Sequence, residues 1–87
     1  MASYRLAFKQ SVAKDLRSIP NQDVARILKR IERLAADSHP PGSEKLSAED
    51  RYRVRQGAYR IVYAVNNEDM TVLVVKIGHR REVYRNR

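Results

Sequence analysis

From Pro20 to about residue 37, apolar residues return at three- and four-residue steps: Val24, Ile27, Leu28, Ile31, Leu34 and Ala35. That spacing predicts a helix over residues 20–37 with one apolar stripe. Arg26, Lys29, Arg30 and Arg33 fall on its other faces with Glu32 among them. A solvated helix face accounts for these bases, with contact to a nucleic acid or a partner as the alternative. Upstream the period changes. Tyr4, Leu6 and Phe8 alternate with Arg5 and Ala7, the pattern of a half-buried strand. Residues 9–17 predict a short helix with Val12, Ala13 and Leu16 facing inward and Ser11 as an early cap. Ser18-Ile19-Pro20 interrupts it, because proline cannot continue one helix but suits the first turn of the next. Two helices joined so tightly predict an antiparallel helical hairpin lying on a sheet.

Residues 38–43, Ser-His-Pro-Pro-Gly-Ser, have the composition of a loop. It is expected to run to about residue 50, with Leu46 anchoring it to the core. Beyond it the two-residue period returns. Strands are predicted over residues 51–57, 59–65 and 70–77, with turns at Gln56-Gly57-Ala58 and Asn66-Asn67-Glu68-Asp69. The middle of these strands is apolar on both faces apart from Arg60, which predicts a central position. Gly78 is expected to end the last strand and release His79-Arg80-Arg81 at the sheet's edge. The order β-α-α-β-β-β gives a compact α+β fold, a helical hairpin packed on an antiparallel sheet. The 87 residues leave room for one domain spanning 1–87 with a single core, and no internal repeat is present.

Hydrophobic residues make up 43% of the chain, enough for a packed core and too many for a disordered basic tail. With no cysteine, disulfides and thiol chemistry are excluded. His39 and His79 are the only histidines, which argues against a structural zinc site. The longest apolar run, at residues 72–75, is far too short to span a bilayer. No apolar signal region follows Arg5 and Lys9 at the start, so a cytoplasmic location without membrane association is expected.

Net charge is +8, and its distribution carries more information than its size. Residues 51–87 hold nine bases against three acids, whereas residues 1–50 hold nine against seven. Eight of the nine bases in the later half are arginine, whose planar fork matches phosphate oxygens better than the point charge of lysine. Arg53 and Arg55 stand two apart in one predicted strand and Arg60 projects from the next, so a hairpin can gather all three on one sheet face. Such clustering suits nucleic acid or an acidic protein better than a merely soluble surface. Tyr52, Tyr59 and Tyr63 recur at strand spacing, and sheet packing explains them.

Two blocks now carry a resemblance. Tyr52-Arg53-Val54-Arg55-Gln56-Gly57-Ala58-Tyr59-Arg60-Ile61-Val62-Tyr63 is followed by Val75-Lys76-Ile77-Gly78-His79-Arg80-Arg81-Glu82-Val83-Tyr84. Together, spaced as they are after two helices and a loop carrying Lys45-Leu46, they resemble the RelE branch of the RelE/ParE toxin superfamily. The resemblance implies the toxin of a type II toxin–antitoxin pair, a ribosome-dependent endoribonuclease that cleaves messenger RNA in the A site. In that reaction the RNA's own 2′-hydroxyl attacks the adjacent phosphate and the 5′-oxygen leaves, with neither metal nor cofactor. By position, Arg60 matches the family's strand arginine that holds the scissile phosphate. Arg80 matches the arginine assigned to transition-state charge or leaving-group protonation. Tyr84 matches the tyrosine proposed as base or as a stacking platform. Arg53 and Arg55 stand where many members carry RNA-binding lysines. Arginine holds its proton more firmly than lysine, so it is a poorer general acid than a depressed lysine.

Other readings run beside this one. Arg60 also suits a structural pairing with Glu82 or a backbone carbonyl. His79, as an imidazole, suits an auxiliary proton shuttle or a strand cap. Arg81, Arg85 and Arg87 fit general contacts with RNA backbone, 16S ribosomal RNA in the implied setting. The resemblance further implies an acidic RelB-like antitoxin and the ribosome as partners. Its other arm, the ParE-like inhibitors of DNA gyrase, cuts nothing and generally lacks Arg60, Arg80 and Tyr84 as a set.

Overall fold

The computed structural model describes residues 3–46 and 51–79. Its elements follow in the order β1 (Arg5–Phe8), α1 (Gln10–Arg17), α2 (Asn21–Ala36), β2 (Glu44–Lys45), β3 (Arg51–Gln56), β4 (Tyr59–Asn66) and β5 (Thr71–His79). The strands form one sheet in the order β1-β5-β4-β3-β2. Pairing is antiparallel throughout except between β1 and β5, which run parallel. Both helices pack on the sheet, α1 along β5 and α2 against β1, β3 and β5. The α+β architecture and the central place of β4 agree with the sequence pattern.

The core lies between the helices and one sheet face. Val12 and Ile19 join Ile27, Ile31 and Leu34 of α2 in covering Val54, Ile61, Tyr63, Val65, Val72, Val74 and Ile77. Strand alternation explains this division, since every second residue of β3 and β4 points at the helices and the intervening ones point away. Tyr63 is fully buried, and its hydroxyl donates to the carbonyl of Ser38 at 2.9 Å. Tyr52 stacks on Tyr63 with ring centroids 5.8 Å apart, and His39 meets Tyr52 edge-on at 4.6 Å. This aromatic column, with its one buried hydrogen bond, ties the proline-rich loop to the sheet.

Several elements depart from the sequence pattern, each for a local reason. Residues 44 and 45 form β2 instead of continuing the loop, because cross-strand pairing of Glu44 with Arg53 and Lys45 with Tyr52 supplies the ladder. A two-residue strand has no periodicity to read. Leu46 is half-buried and stands outside the core cluster, and its N–H donates to the carbonyl of Arg51 at 2.8 Å. Gly78 does not end the last strand. It pairs with Arg60, and His79 pairs with Tyr59, so available partners outweigh the weak strand preference of glycine. Lys9 rather than Ser11 stands at the N-cap position of α1, with no side-chain capping hydrogen bond, and Ala13 is exposed. Leu28 lies at the margin of its stripe and is also exposed.

Beyond the end of β1 the outer edge of β5 would be bare. Asp15 of α1 covers it, accepting the Ile77 N–H at 3.1 Å and an ion pair from Lys76 at 3.2 Å. A register shift between Val62 and Tyr63 leaves Val75 as the extra residue of β5, a bulge that strengthens twist. Among the described residues no helix is long and apolar enough to cross a membrane.

Burial pushes the Tyr63 phenol above its ordinary range, the largest contribution being desolvation. Tyr63→Phe is expected to cost about 1–3 kcal/mol, because the buried Ser38 carbonyl loses its donor. Above about pH 10 the unfolded chain sheds this proton while the folded chain keeps it, so wild-type stability falls as pH rises there. Tyr63→Phe lacks that contribution and should lose less. Urea unfolding midpoints at neutral pH and near pH 10.5 check both statements.

Candidate functional site

The sheet face turned away from the helices carries the arginines. β3 and β4 join through Gly57 and Ala58, with Gln56 paired to Tyr59. Gly57 takes φ +61° and Ala58 does not share that positive sign, the pattern of a type II′ turn, whose first central residue needs glycine. A Cβ at Gly57 would touch nothing within 4 Å, so backbone conformation alone makes the demand.

This register sets Arg55 directly opposite Arg60, with Arg53 two residues back opposite Val62. All three therefore share the outer face. Arg60 in turn faces Gly78 of β5, so the row across the sheet reads Arg55, Arg60, Gly78. The glycine adds no side chain beside Arg60. Arg60 is only 6% exposed, whereas Arg55 is exposed. Like charges placed directly opposite destabilise a sheet unless a counter-charge stands beside them.

A cleft of about 570 Å³ opens here, lined by Arg30, Gly42, Glu44, Arg53, Val54, Arg55 and Arg60. Four bases and one acid make it electropositive. Glu44 is that acid, and its Oε1 accepts from Arg53 Nη2 at 2.9 Å and from Nε at 3.0 Å. Oxygen-rich anions fit such a lining, since guanidinium groups recognise phosphate through paired donors. Among the described residues no three His, Asp or Glu side chains gather as a metal site.

The structure thus brings Arg53, Arg55 and Arg60 together. It does not bring His79 to them. His79 pairs with Tyr59, and the two rings meet edge-on with centroids 6.1 Å apart, on the face opposite to that of Arg60. Arg80, Arg81, Tyr84, Arg85 and Arg87 lie outside the described residues, as does Glu82.

Three residues that shape the cleft or the sheet escape the strand pattern. Arg30 reaches the cleft from α2, and nothing in helical periodicity indicates which sheet edge it will border. Glu44 sits in a stretch with no pattern. Asp15 does leave a signal, being a carboxylate three residues after Val12 and one before Leu16, on the inward stripe of a short amphipathic helix.

The model of the ParE toxin of the type II toxin–antitoxin system parDE matches residues 6–84. A toxin of Methanocaldococcus jannaschii named RelE1 is 29% identical over 87 residues, covering 95% of this chain and 97% of its own. Toxin RelG of Mycobacterium tuberculosis is 24% identical over 86 residues, with coverage of 94% and 97%. Among solved structures, RelE in the archaeal RelE–RelB complex of Pyrococcus horikoshii superposes with a TM-score of 0.76 at 29% identity, over 88% of this chain and 94% of that one. A double arginine-to-alanine mutant of Escherichia coli RelE in the free state gives a TM-score of 0.78 at 25% identity, over 95% and 92%.

Glu44→Gln removes the one carboxylate from the cleft lining, and with it a negative charge beside Arg53. Affinity for a short single-stranded oligonucleotide at low salt is expected to rise roughly three- to fivefold, with the gain shrinking as salt is added. Stability should change by less than about 1 kcal/mol, since the carboxylate is largely solvated. Fluorescence anisotropy titrations across salt concentrations, alongside urea unfolding, measure both.

Proposed function

The chain belongs to the ParE toxin family of type II toxin–antitoxin systems, within the RelE/ParE superfamily, and from that premise we propose that it is a ribosome-dependent endoribonuclease that cleaves messenger RNA in the A site. The observation that carries the reading is the cross-strand pair of Arg55 and buried Arg60 in an electropositive cleft. Relatives named RelE over nearly the whole chain favour the nuclease over gyrase inhibition.

In the proposed reaction a bond forms between the attacking 2′-oxygen and phosphorus, and the bond from phosphorus to the 5′-oxygen breaks. Negative charge grows on the equatorial oxygens meanwhile. Arg60 meets that charge with a fixed guanidinium in a site from which water is largely excluded, where a preorganised donor acts most strongly. Arg80 stabilises the same charge or protonates the departing oxygen. Tyr84 takes the 2′-hydroxyl proton or stacks on the base beside the cut. Arg53 and Arg55 hold the RNA backbone, and Arg81, Arg85 and Arg87 contact 16S ribosomal RNA. His79 packs against Tyr59 on the face opposite to that of Arg60. The chain works as one domain in the cytoplasm without a metal or cofactor.

An acidic antitoxin of the RelB kind completes the pair, as RelB does for RelE in the Pyrococcus horikoshii complex. Its carboxylates satisfy the arginines that RNA would otherwise engage.

Primer extension on a defined message in a purified translation system tests the reading. Wild type should produce new 3′ ends at A-site codons only when ribosomes are present. Arg60→Ala and Arg80→Ala should each slow cleavage by about 10²–10³-fold, the scale for losing one charge-stabilising donor, while ribosome binding persists. A folded, ribosome-binding wild type that leaves the message intact would refute the proposal.

A further inference from the structure

Arg26, Lys29, Arg30 and Arg33 occupy positions i, i+3, i+4 and i+7 of α2, so they form one stripe about 10 Å long on the helix surface. They line a groove of about 530 Å³ together with Glu32 and with Gln56 at the end of β3. Arg30 lines this groove and also the cleft that holds Arg53, Arg55 and Arg60. The two depressions therefore share Arg30, which links the bases of the helix to those of the cleft.

Resting on the reading of that outer face as an RNA site, we propose that the α2 stripe of Arg26, Lys29, Arg30 and Arg33 extends it as a track for the RNA sugar-phosphate backbone, with Arg30 at the junction. A solvated helix face ordinarily alternates charge signs, with acids placed to pair with bases three or four residues away. Here, among the described residues, the stripe's ion pair with a carboxylate is that of Arg26 with Asp23, at 4.0 Å, and the Arg26 side chain is 67% exposed. Lys29, Arg30 and Arg33 make no ion pair with a carboxylate among the described residues.

The groove's lining also chooses between classes of partner. It contains no apolar side chain, and Leu28, the exposed apolar residue of α2, lies on a different side of the helix from the stripe. A protein partner gains most of its affinity from apolar and aromatic anchors in a desolvated centre. RNA backbone needs none, because binding is driven by neutralised phosphates and released counterions. Three arginines among the four bases add donors shaped for phosphate.

The test is binding of a short uridine homopolymer across a salt series by the full chain. Compared variants are Arg26→Ala/Lys29→Ala/Arg33→Ala on the stripe and Lys9→Ala/Lys14→Ala/Arg17→Ala at α1, which removes equal charge elsewhere, with folding verified by circular dichroism. The stripe variant should flatten the slope of log affinity against log salt by about 2 and weaken binding roughly a hundredfold near 0.1 M salt, as expected for three lost single-strand phosphate contacts. The α1 variant should leave the slope within about half a unit of wild type. Equal losses in both variants would overturn the track by showing a net-charge effect. So would an unchanged slope in the stripe variant, or retained RNA binding with lost binding of a glutamate-rich peptide. Cleavage does not enter this readout, so the track and the nuclease reading can fail separately.

Discussion

The register of the β3–β4 hairpin, fixed at the turn through Gly57, is the constraint on which the outer face depends. It sets Arg55 opposite Arg60 and leaves Gln56 to pair with Tyr59. A slip of one residue would send every side chain of one strand to the other face, carrying arginines into the core and Val54 into water. The buried Val54 and Ile61, directly opposite one another, oppose that slip. The apolar face therefore enforces the arrangement of the charged one.

This coupling lets the chain hold two arginines directly across one strand pair. Two guanidinium groups directly across a strand pair repel, and Arg60 gives up most of its hydration at 6% exposure. Arginine bears this better than lysine would, since its delocalised charge is weakly hydrated and does not neutralise by losing a proton. The helix side offsets the cost. Ile27, Ile31 and Leu34 seal one face of the sheet, while Tyr63 and Asp15 satisfy polar groups at its margins. With stability concentrated there, the opposite face is free to be organised around an anion.

How far the sequence foretells this varies with the length scale on which each feature is encoded. α2 and β4 were legible because many residues repeat one period, and the core follows from the same periods. The gathering of Arg53, Arg55 and Arg60 was legible too, since strand alternation and one short turn suffice. β2 was not, because two residues carry no period and its ladder depends on a partner several residues away. The continuation of β5 through Gly78 was hidden by a residue that usually signals an ending, and only the length of β4 decides otherwise. Glu44 and Arg30 were invisible as cleft residues for a related reason: their roles come from where whole elements lie, not from local pattern.

Glu44 shows how such a late-emerging residue can matter to a basic site. A cleft lined only by arginines would attract any polyanion, and its own repulsion would strain the sheet. One carboxylate on the short β2, holding Arg53 through two nitrogens, relieves that repulsion at modest energetic value, because the acid stays 66% exposed. A phosphate approaching Arg53 must displace or share this carboxylate. The short β2 thus tempers the charge of the cleft at Arg53, while the row formed by Arg55, Arg60 and Gly78 lies further along the same face.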